Sequence, residues 1–306
     1  MTLTERMNKL RFNWAIRAMT RTPPVTCGTV PFTALSMVHH RDVLPYLLAL
    51  KSMARFLAPS QVVVVADPTI DAEDRARIRD HVPQIMFRDA AEFHRQGLPK
   101  GGTWERLSAI SQYATDSYVV QIDADTVAVA DPTDVRVAID DDVSFTLGTD
   151  DDTAIKSTSE TAVWARGRQG GSEHVQGLAE SVLDKFDPDG RYRYVRGCSG
   201  FAGFARHSID ADAVLAVSTG MAALLGDRWS EWGTEQFSSN LLVASSPAAR
   251  VLPHPRYCAP HRRSAETVFM HFIGYVRFTS GLYAEVAGDV ARQLHQPTAP
   301  IPEHVA

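Results

Sequence analysis

SYVVQIDADTVAVAD, residues 117–131, runs an apolar strand directly into two carboxylates, Asp123 and Asp125, one residue apart. Open α/β sheets bind ligands at the carboxyl ends of their strands. Two carboxylates at the end of a buried strand cannot both stay charged and unpaired, because desolvation costs each of them several kcal/mol. A hard cation resolves the conflict, and carboxylate plus phosphate oxygens is the usual cradle for Mg²⁺ or Mn²⁺. The plainer reading has Asp123 capping the turn and Asp125 solvated.

The preceding hundred residues supply the sheet for that strand. After Pro23-Pro24, FTALSMV (32–38) reads as a buried strand and HHRDVLPYLLALKSMARFL (39–57) has helical spacing. QVVVVADP (61–68) is an almost uninterrupted β-branched run, expected for a strand covered on both faces of a parallel sheet. DAEDRARIRDHV (71–82) returns as a helix whose acidic first turn suits its dipole. QIMFRD (84–89) is a short strand and TWERLSAISQYA (103–114) a helix. Alternating strands and helices imply an α/β fold with right-handed parallel crossovers.

Past Asp131 the regularity fades. VSFTLGT (143–149) lies between Asp140–Asp142 and Asp150–Asp152, and residues 165–172 read as an exposed loop. RYRYVRGCSGFAGFARHSI (191–209) suggests paired short strands with glycine turns. SEWGTEQFSSNLLVAS (230–245) is a loop entering a helix, and TVFMHFIGYVRF (267–278) a strand leading into a loop. The expected organisation is an N-terminal helical extension (1–29), one catalytic-type domain (30–285) and a tail (286–306). That domain divides into a nucleotide-binding half (30–135) and a completing half (136–285), sharing one sheet.

Composition narrows the class. The 306 residues are 44% hydrophobic and 22% charged, which fits a globular chain rather than a disordered or collagen-like one. With 31 basic and 36 acidic residues the net charge is −5, so the whole-molecule field gives no reason to expect nucleic acid or an anionic membrane surface. No stretch approaches the roughly 20 apolar residues that span a bilayer. The N-terminal segment MTLTERMNKLRFNWAIRAMTRTPP fits an amphipathic helix packed on its own domain. Cys27, Cys198 and Cys258 form no CxxC pair and read as reduced thiols of a cytoplasmic protein. The aspartate triplets lack the spacing of a calcium loop. No GxGxxG or GxxxxGK[ST] motif is present.

The second half adds a candidate partner for the carboxylates. His271, Gly274 and Arg277 stand at three-residue steps. Neutral imidazole is a good third ligand for Mn²⁺. Gly274 allows close backbone approach to a bulky anion, and Arg277 suits a diphosphate. A competing reading takes DADT (123–126) as the nucleophile motif of a haloacid-dehalogenase-like phosphatase, with Asp123 attacking phosphorus. That motif wants Thr or Val two places after the second aspartate, whereas Thr126 follows Asp125 directly, and only Lys156 and Lys185 lie downstream. A satisfied core histidine is the plain account of His271. His39-His40 reads as a solvated loop. Trp229 and Trp232 suit either a sugar platform or core packing.

Taken in order, these segments resemble a GT-A-type glycosyltransferase of family 8, the glycogenin and galactinol-synthase type. HFIGYVRF (271–278) is similar to the family's HxxGxxKPW, with Arg277 at the lysine position. SYVVQIDADTVAVADPTDV (117–135) resembles its DxD strand, and GTEQFSSN (233–240) its GDQxxLN, with Glu235 for Asp. RGCSGFAGF (196–204) resembles its FNSG strand, with Cys198 for Asn and Ser199-Gly200 kept. TWERLSAISQYA resembles its TKLxxW helix, with Arg106 at the lysine position, and FTALSMVHH its first strand and base-holding loop.

The resemblance implies a mixed, mostly parallel sheet flanked by helices. It implies transfer of a sugar from a nucleoside diphosphate sugar, expected to be UDP-linked, to an acceptor hydroxyl with retention. Asp123, Asp125 and His271 would hold Mn²⁺ or Mg²⁺. Arg106, Asp123, Ser199, Gly200, Gly274 and Arg277 would bind the donor, with Gln236 and Glu235 facing its sugar. A catalytically silent nucleotide-sugar binder on the same scaffold is the further alternative.

Overall fold

A computed structural model of the chain describes residues 1–149, 153–168, 174–274 and 276–296. The first half contributes helix α1 (Leu3–Ala15), strand β1 (Val30–Val38), α2 (Val43–Ala54), β2 (Pro59–Ala66), α3 (Ala72–His81), β3 (Met86–Asp89), α4 (Trp104–Tyr113), β4 (Tyr118–Ile122), β5 (Thr126–Ala128) and α5 (Thr133–Asp140). The second half contributes β6 (Phe145–Gly148), β7 (Lys156–Ser157), α6 (Thr158–Gly167), α7 (Val175–Ser181), α8 (Leu183–Phe186), β8 (Arg193–Tyr194), β9 (Gly197–Phe204), α9 (Ala211–Leu225), α10 (Thr234–Ser245), β10 (Arg250–Leu252), β11 (Tyr257–Cys258), β12 (Phe269–His271) and α11 (Leu282–Leu294).

Among the described residues the central sheet has seven strands in the order β10-β6-β9-β4-β1-β2-β3. Neighbours pair in parallel except β9, which runs antiparallel to both β4 and β6. The mixed, mostly parallel sheet is therefore as expected, and both halves of the chain contribute to it. The valine run of β2 shows why. Val62 and Val64 enter a core with Leu47, Leu50 and Met53 of α2, whereas Val63 and Val65 enter the opposite core with Leu107 and Ile110 of α4. With period-two alternation, a strand between two helical layers needs apolar residues at every position.

Helix α3 starts where its acids predict. Asp71 accepts from the Asp74 amide at 2.9 Å and Asp74 accepts from the Asp71 amide at 3.3 Å, a reciprocal cap.

A third core is built on β5, β11 and β12, outside the seven-stranded sheet, and lies next to the acidic turn. Phe12 of α1, Val127 of β5, Met270 of β12, and Tyr283 and Val290 of α11 pack together in it. Tyr283 is sandwiched between Phe12 and Phe272, with ring centroids 3.9 and 4.1 Å away. Helix α1 thus packs on its own domain, against α11. No helix among the described residues is long and apolar enough to cross a membrane.

Several expectations need correction. SYVVQIDADTVAVAD is not one strand: it breaks at Asp123–Asp125, and β5 joins a separate three-stranded sheet, β11-β12-β5. RYRYVRGCSGFAGFARHSI is not a self-paired hairpin; β9 is one continuous strand inserted between β4 and β6, while β8 pairs with β7. The loop expected at 165–172 is helical as far as Gly167, its Ser157 cap closed by Glu160, and the remainder beyond Arg168 lies outside the described residues. Helix α11 crosses the boundary expected at residue 286. Of the triplets, Asp141 pairs with Arg250 and Asp142 with Arg206, so these two are ion-paired rather than merely solvated; Asp150–Asp152 lie outside the described residues.

Candidate metal centre and cleft

Backbone pairing brings the acidic turn and His271 together. Ile122 pairs with Phe201, and the Asp123 amide donates to the Gly200 carbonyl at 2.9 Å. Thr126 closes the turn, its hydroxyl donating to the Asp123 carbonyl at 2.8 Å. In the smaller sheet Thr126 stands opposite His271, and the Phe272 amide donates to the Asp125 carbonyl at 2.8 Å. His271 Nε2 consequently meets Asp125 Oδ1 at 3.1 Å across 146 positions of sequence. The other Asp125 oxygen accepts from Arg277.

Two charge clusters result. In the first, burial pushes Asp125 upward, but His271 and Arg277 outweigh it and hold the carboxyl at about 2. His271 moves the other way: burial disfavours its charge, yet Cys198 and Asp125 raise it well above the ordinary histidine value. In the second, Arg106 is buried and donates to Asp123, to Glu235 Oε2 at 2.9 Å and to Ser199 Oγ at 3.3 Å. Thr103 also donates to Glu235 Oε2, at 3.0 Å. Burial raises both Asp123 and Glu235 despite that shared guanidinium. Arg106 Nε and Glu235 Oε1 are buried without a hydrogen-bond partner.

A polar chain leads away from His271 and was not anticipated. Its Nδ1 lies 3.3 Å from Cys198 Sγ, which in turn donates to Gln236 Oε1 at 3.6 Å. Gln236 Nε2 donates to Gln176 Oε1 at 3.1 Å, and Gln176 reaches Glu180 Oε1 at 3.3 Å. Every donor finds an acceptor in one direction, so the chain fixes the orientation of both His271 and Gln236. A lone cysteine carries no such signal in the sequence; only the position of β9 beside β12 reveals it.

The two glycines differ. A Cβ on Gly200 would come within 2.2 Å of His271 Cε1, so the imidazole occupies the space a side chain would need. Gly274 is open, with nothing within 4 Å of a built Cβ. It lines a cleft of about 920 Å³ that runs between α1 and residues 40–45, with Lys9, Arg17, Arg41 and Arg77 along it and Arg277 at the end near Asp125. His40 also lines it, 2.7 Å from Asp74, and the neighbouring His39 lies 3.2 Å from Asp67. Trp229 is buried edge-on to Trp104, whereas Trp232 is exposed.

The donor atoms of Asp123, Asp125 and His271 all lie within 4.8 Å of one another. Two carboxylates and an imidazole are a donor set that Mn²⁺ accepts readily, so these residues fit a divalent cation. Arg277 and the His271 proton now occupy Asp125, and both must yield before the carboxylate is free for it. Cys198 would then take the Nδ1–H and keep Nε2 turned toward the carboxylates, the orienting contact common behind metal-bound histidines.

No family model matches this chain, and no curated protein matches it in sequence. Among solved structures it is similar to apo mouse xyloside xylosyltransferase 1, with 14% identity, TM-score 0.46, and 80% of this chain and 98% of that one covered. It is similar to the bifunctional glycosyltransferase WbbM, with 13% identity, TM-score 0.48, and 89% and 46% covered. It is also similar to the galactosyltransferase LgtC in complex with donor and acceptor sugar analogues, with 11% identity, TM-score 0.45, and 89% and 98% covered.

Proposed function

We propose that this chain is a glycosyltransferase of GT-A type that moves a sugar from a nucleoside diphosphate sugar to an acceptor hydroxyl. The observation that carries the reading is the convergence of Asp123, Asp125 and His271 beside a cleft lined with arginines. The family 8 resemblance of HFIGYVRF and its companion segments supports UDP as the nucleotide and retention as the outcome. Asp123, Asp125 and His271 would hold the Mn²⁺ or Mg²⁺, which when bound supplies positive charge to a diphosphate leaving group.

The remaining work falls to the chain. As the bond from the anomeric carbon to phosphate breaks, its electron pair goes to the β-phosphate oxygen, and the acceptor oxygen takes its place as the hydroxyl proton passes to that departing phosphate oxygen. Arg277, freed from Asp125, donates charge-assisted hydrogen bonds to the diphosphate oxygens. Gly274 leaves its backbone open to the same anion. Arg106 acts from behind: its guanidinium holds Asp123 and Glu235 in place, and Ser199 accepts from Arg106 while donating to Glu235 Oε2. Gln236, held by Cys198 and Gln176, presents a side-chain carbonyl to the positively charged anomeric centre. Glu235 reaches the sugar only through a change in its Arg106 pairing.

The phosphatase reading gains nothing here. That chemistry needs a downstream lysine at the aspartate, and Lys156 lies instead over the Trp164 ring at 5.3 Å. The deciding experiment is a screen of nucleotide sugars for hydrolysis without acceptor. One donor is expected to release its nucleoside diphosphate, with the activity lost in chelator and in Asp125→Ala. Binding without any turnover would favour the silent binder. Hydrolysis of a phosphomonoester, abolished by Asp123→Asn, would favour the phosphatase.

A further inference from the structure

Helix α1 presents three distinct faces. Asn8 and Phe12 are buried. Glu5, Lys9 and Asn13 line the cleft. The third face carries Leu3, Met7, Leu10 and Trp14, which are 75%, 56%, 68% and 76% exposed. At about 100° per residue these four fall within an arc of roughly 60° and form one continuous stripe. Scattered exposed apolar residues are ordinary, but a stripe of four large ones marks an interaction surface.

Charge identifies what the stripe fits. Arg6 and Arg11 are exposed and bracket it, each roughly 70° from its centre. Residues 1–21 hold five basic side chains and one carboxylate, although the whole chain carries −5. Among the described residues no carboxylate is ion-paired with Arg6, Lys9, Arg11 or Arg17. The local distribution of charge, not the net charge of the chain, governs this surface. Trp14 and Leu10 continue into a shallow depression shared with Leu282 and Ala284 of α11. In a two-fold pair built on this stripe, the arginines of one copy would face those of the other.

We propose that the outer face of α1 docks on an anionic phospholipid surface. Leu3, Met7, Leu10 and Trp14 enter the boundary of the acyl chains while Arg6 and Arg11 meet the headgroups, the arrangement of an interfacial helix with a tryptophan anchor. Because the neighbouring face of the same helix lines the cleft, docking sets the cleft mouth beside the bilayer. The proposal stands whether or not the transferase reading does.

The test is co-sedimentation of the full chain with vesicles of phosphatidylcholine and phosphatidylglycerol in equal parts, against pure phosphatidylcholine. Binding is expected to the mixed vesicles only and to fall as salt is raised. Arg6→Gln with Arg11→Gln should lower the partition coefficient about 30-fold. Leu10→Ser with Trp14→Ser should abolish binding while the thermal melt stays unchanged, because both side chains are exposed. Failure to pellet, equal binding to neutral vesicles, or binding indifferent to either double variant would overturn the proposal. So would a dimer in light scattering that Leu10→Ser with Trp14→Ser dissolves, since a second copy would then be the occupant.

Discussion

The imidazole of His271 fills the space above Gly200: a side chain there would start 2.2 Å from Cε1 and 2.7 Å from Nε2. Gly200 is not in the left-handed region, so the demand for glycine is purely one of room. Gly200→Ala is expected to push His271 off Asp125 and to cost Mn²⁺ affinity about 10-fold or more. Isothermal titration with Mn²⁺ measures this, and an unchanged affinity would show that the ring position does not matter to cation binding.

Cys198 is expected to act as the partner that orients His271, through the 3.3 Å contact at Nδ1. Cys198→Ser retains an acceptor there and should keep Mn²⁺ affinity close to the parent. Cys198→Val removes the acceptor and should weaken binding about 10-fold. Equal affinities for the two variants would remove the role.

Tyr283 ties both terminal helices to the acidic turn, stacked between Phe12 and Phe272 with its hydroxyl 3.4 Å from the Ala124 carbonyl. Tyr283→Ala should cost about 3 to 5 kcal/mol in chemical denaturation. Tyr283→Phe keeps the stack and gives up only a long hydrogen bond, so it should cost less than about 1 kcal/mol. Comparable losses in both variants would place the stability in the hydroxyl rather than the stack.

Lys51 is buried, bonded to Thr22 Oγ1 at 2.8 Å and to His81 Nδ1 at 3.0 Å, and burial lowers it to about 8. The unfolded chain keeps this amine protonated up to about 10.4. Between those values the unfolded state binds more protons, so stability from this group is fully present above pH 10.4 and is lost as pH falls through 8. The difference is on the order of 3 kcal/mol. Unfolding free energies at pH 7 and 10 should show the parent gaining on Lys51→Met as pH rises. A constant gap between the two would contradict it.

Legibility in the sequence followed the range of the physics. The valine run of β2 and the acidic start of α3 are decided by neighbours a few residues away, and both read correctly. The break between β4 and β5 did not, because an apolar strand on either side of Asp123–Asp125 looks continuous until pairing partners are known. His271 is a candidate third ligand by residue type and by resemblance, but no local pattern spans the 146 positions that separate it from Asp125. The Arg106 cluster is out of local reach for the same reason: no nearby pattern says that its guanidinium pairs with both Asp123 and Glu235. The spacing of Leu3, Met7, Leu10 and Trp14 is local, but which face of α1 stays uncovered depends on its packing against α11.

The most direct test of the central claim is calorimetric titration of UDP into the chain with Mn²⁺ present and then with chelator, for the parent and for Asp125→Ala. UDP should bind the parent only when Mn²⁺ is present, and Asp125→Ala should bind it weakly under both conditions. No UDP binding, or binding that ignores both the metal and the substitution, would contradict a cation-assisted diphosphate site at Asp123, Asp125 and His271.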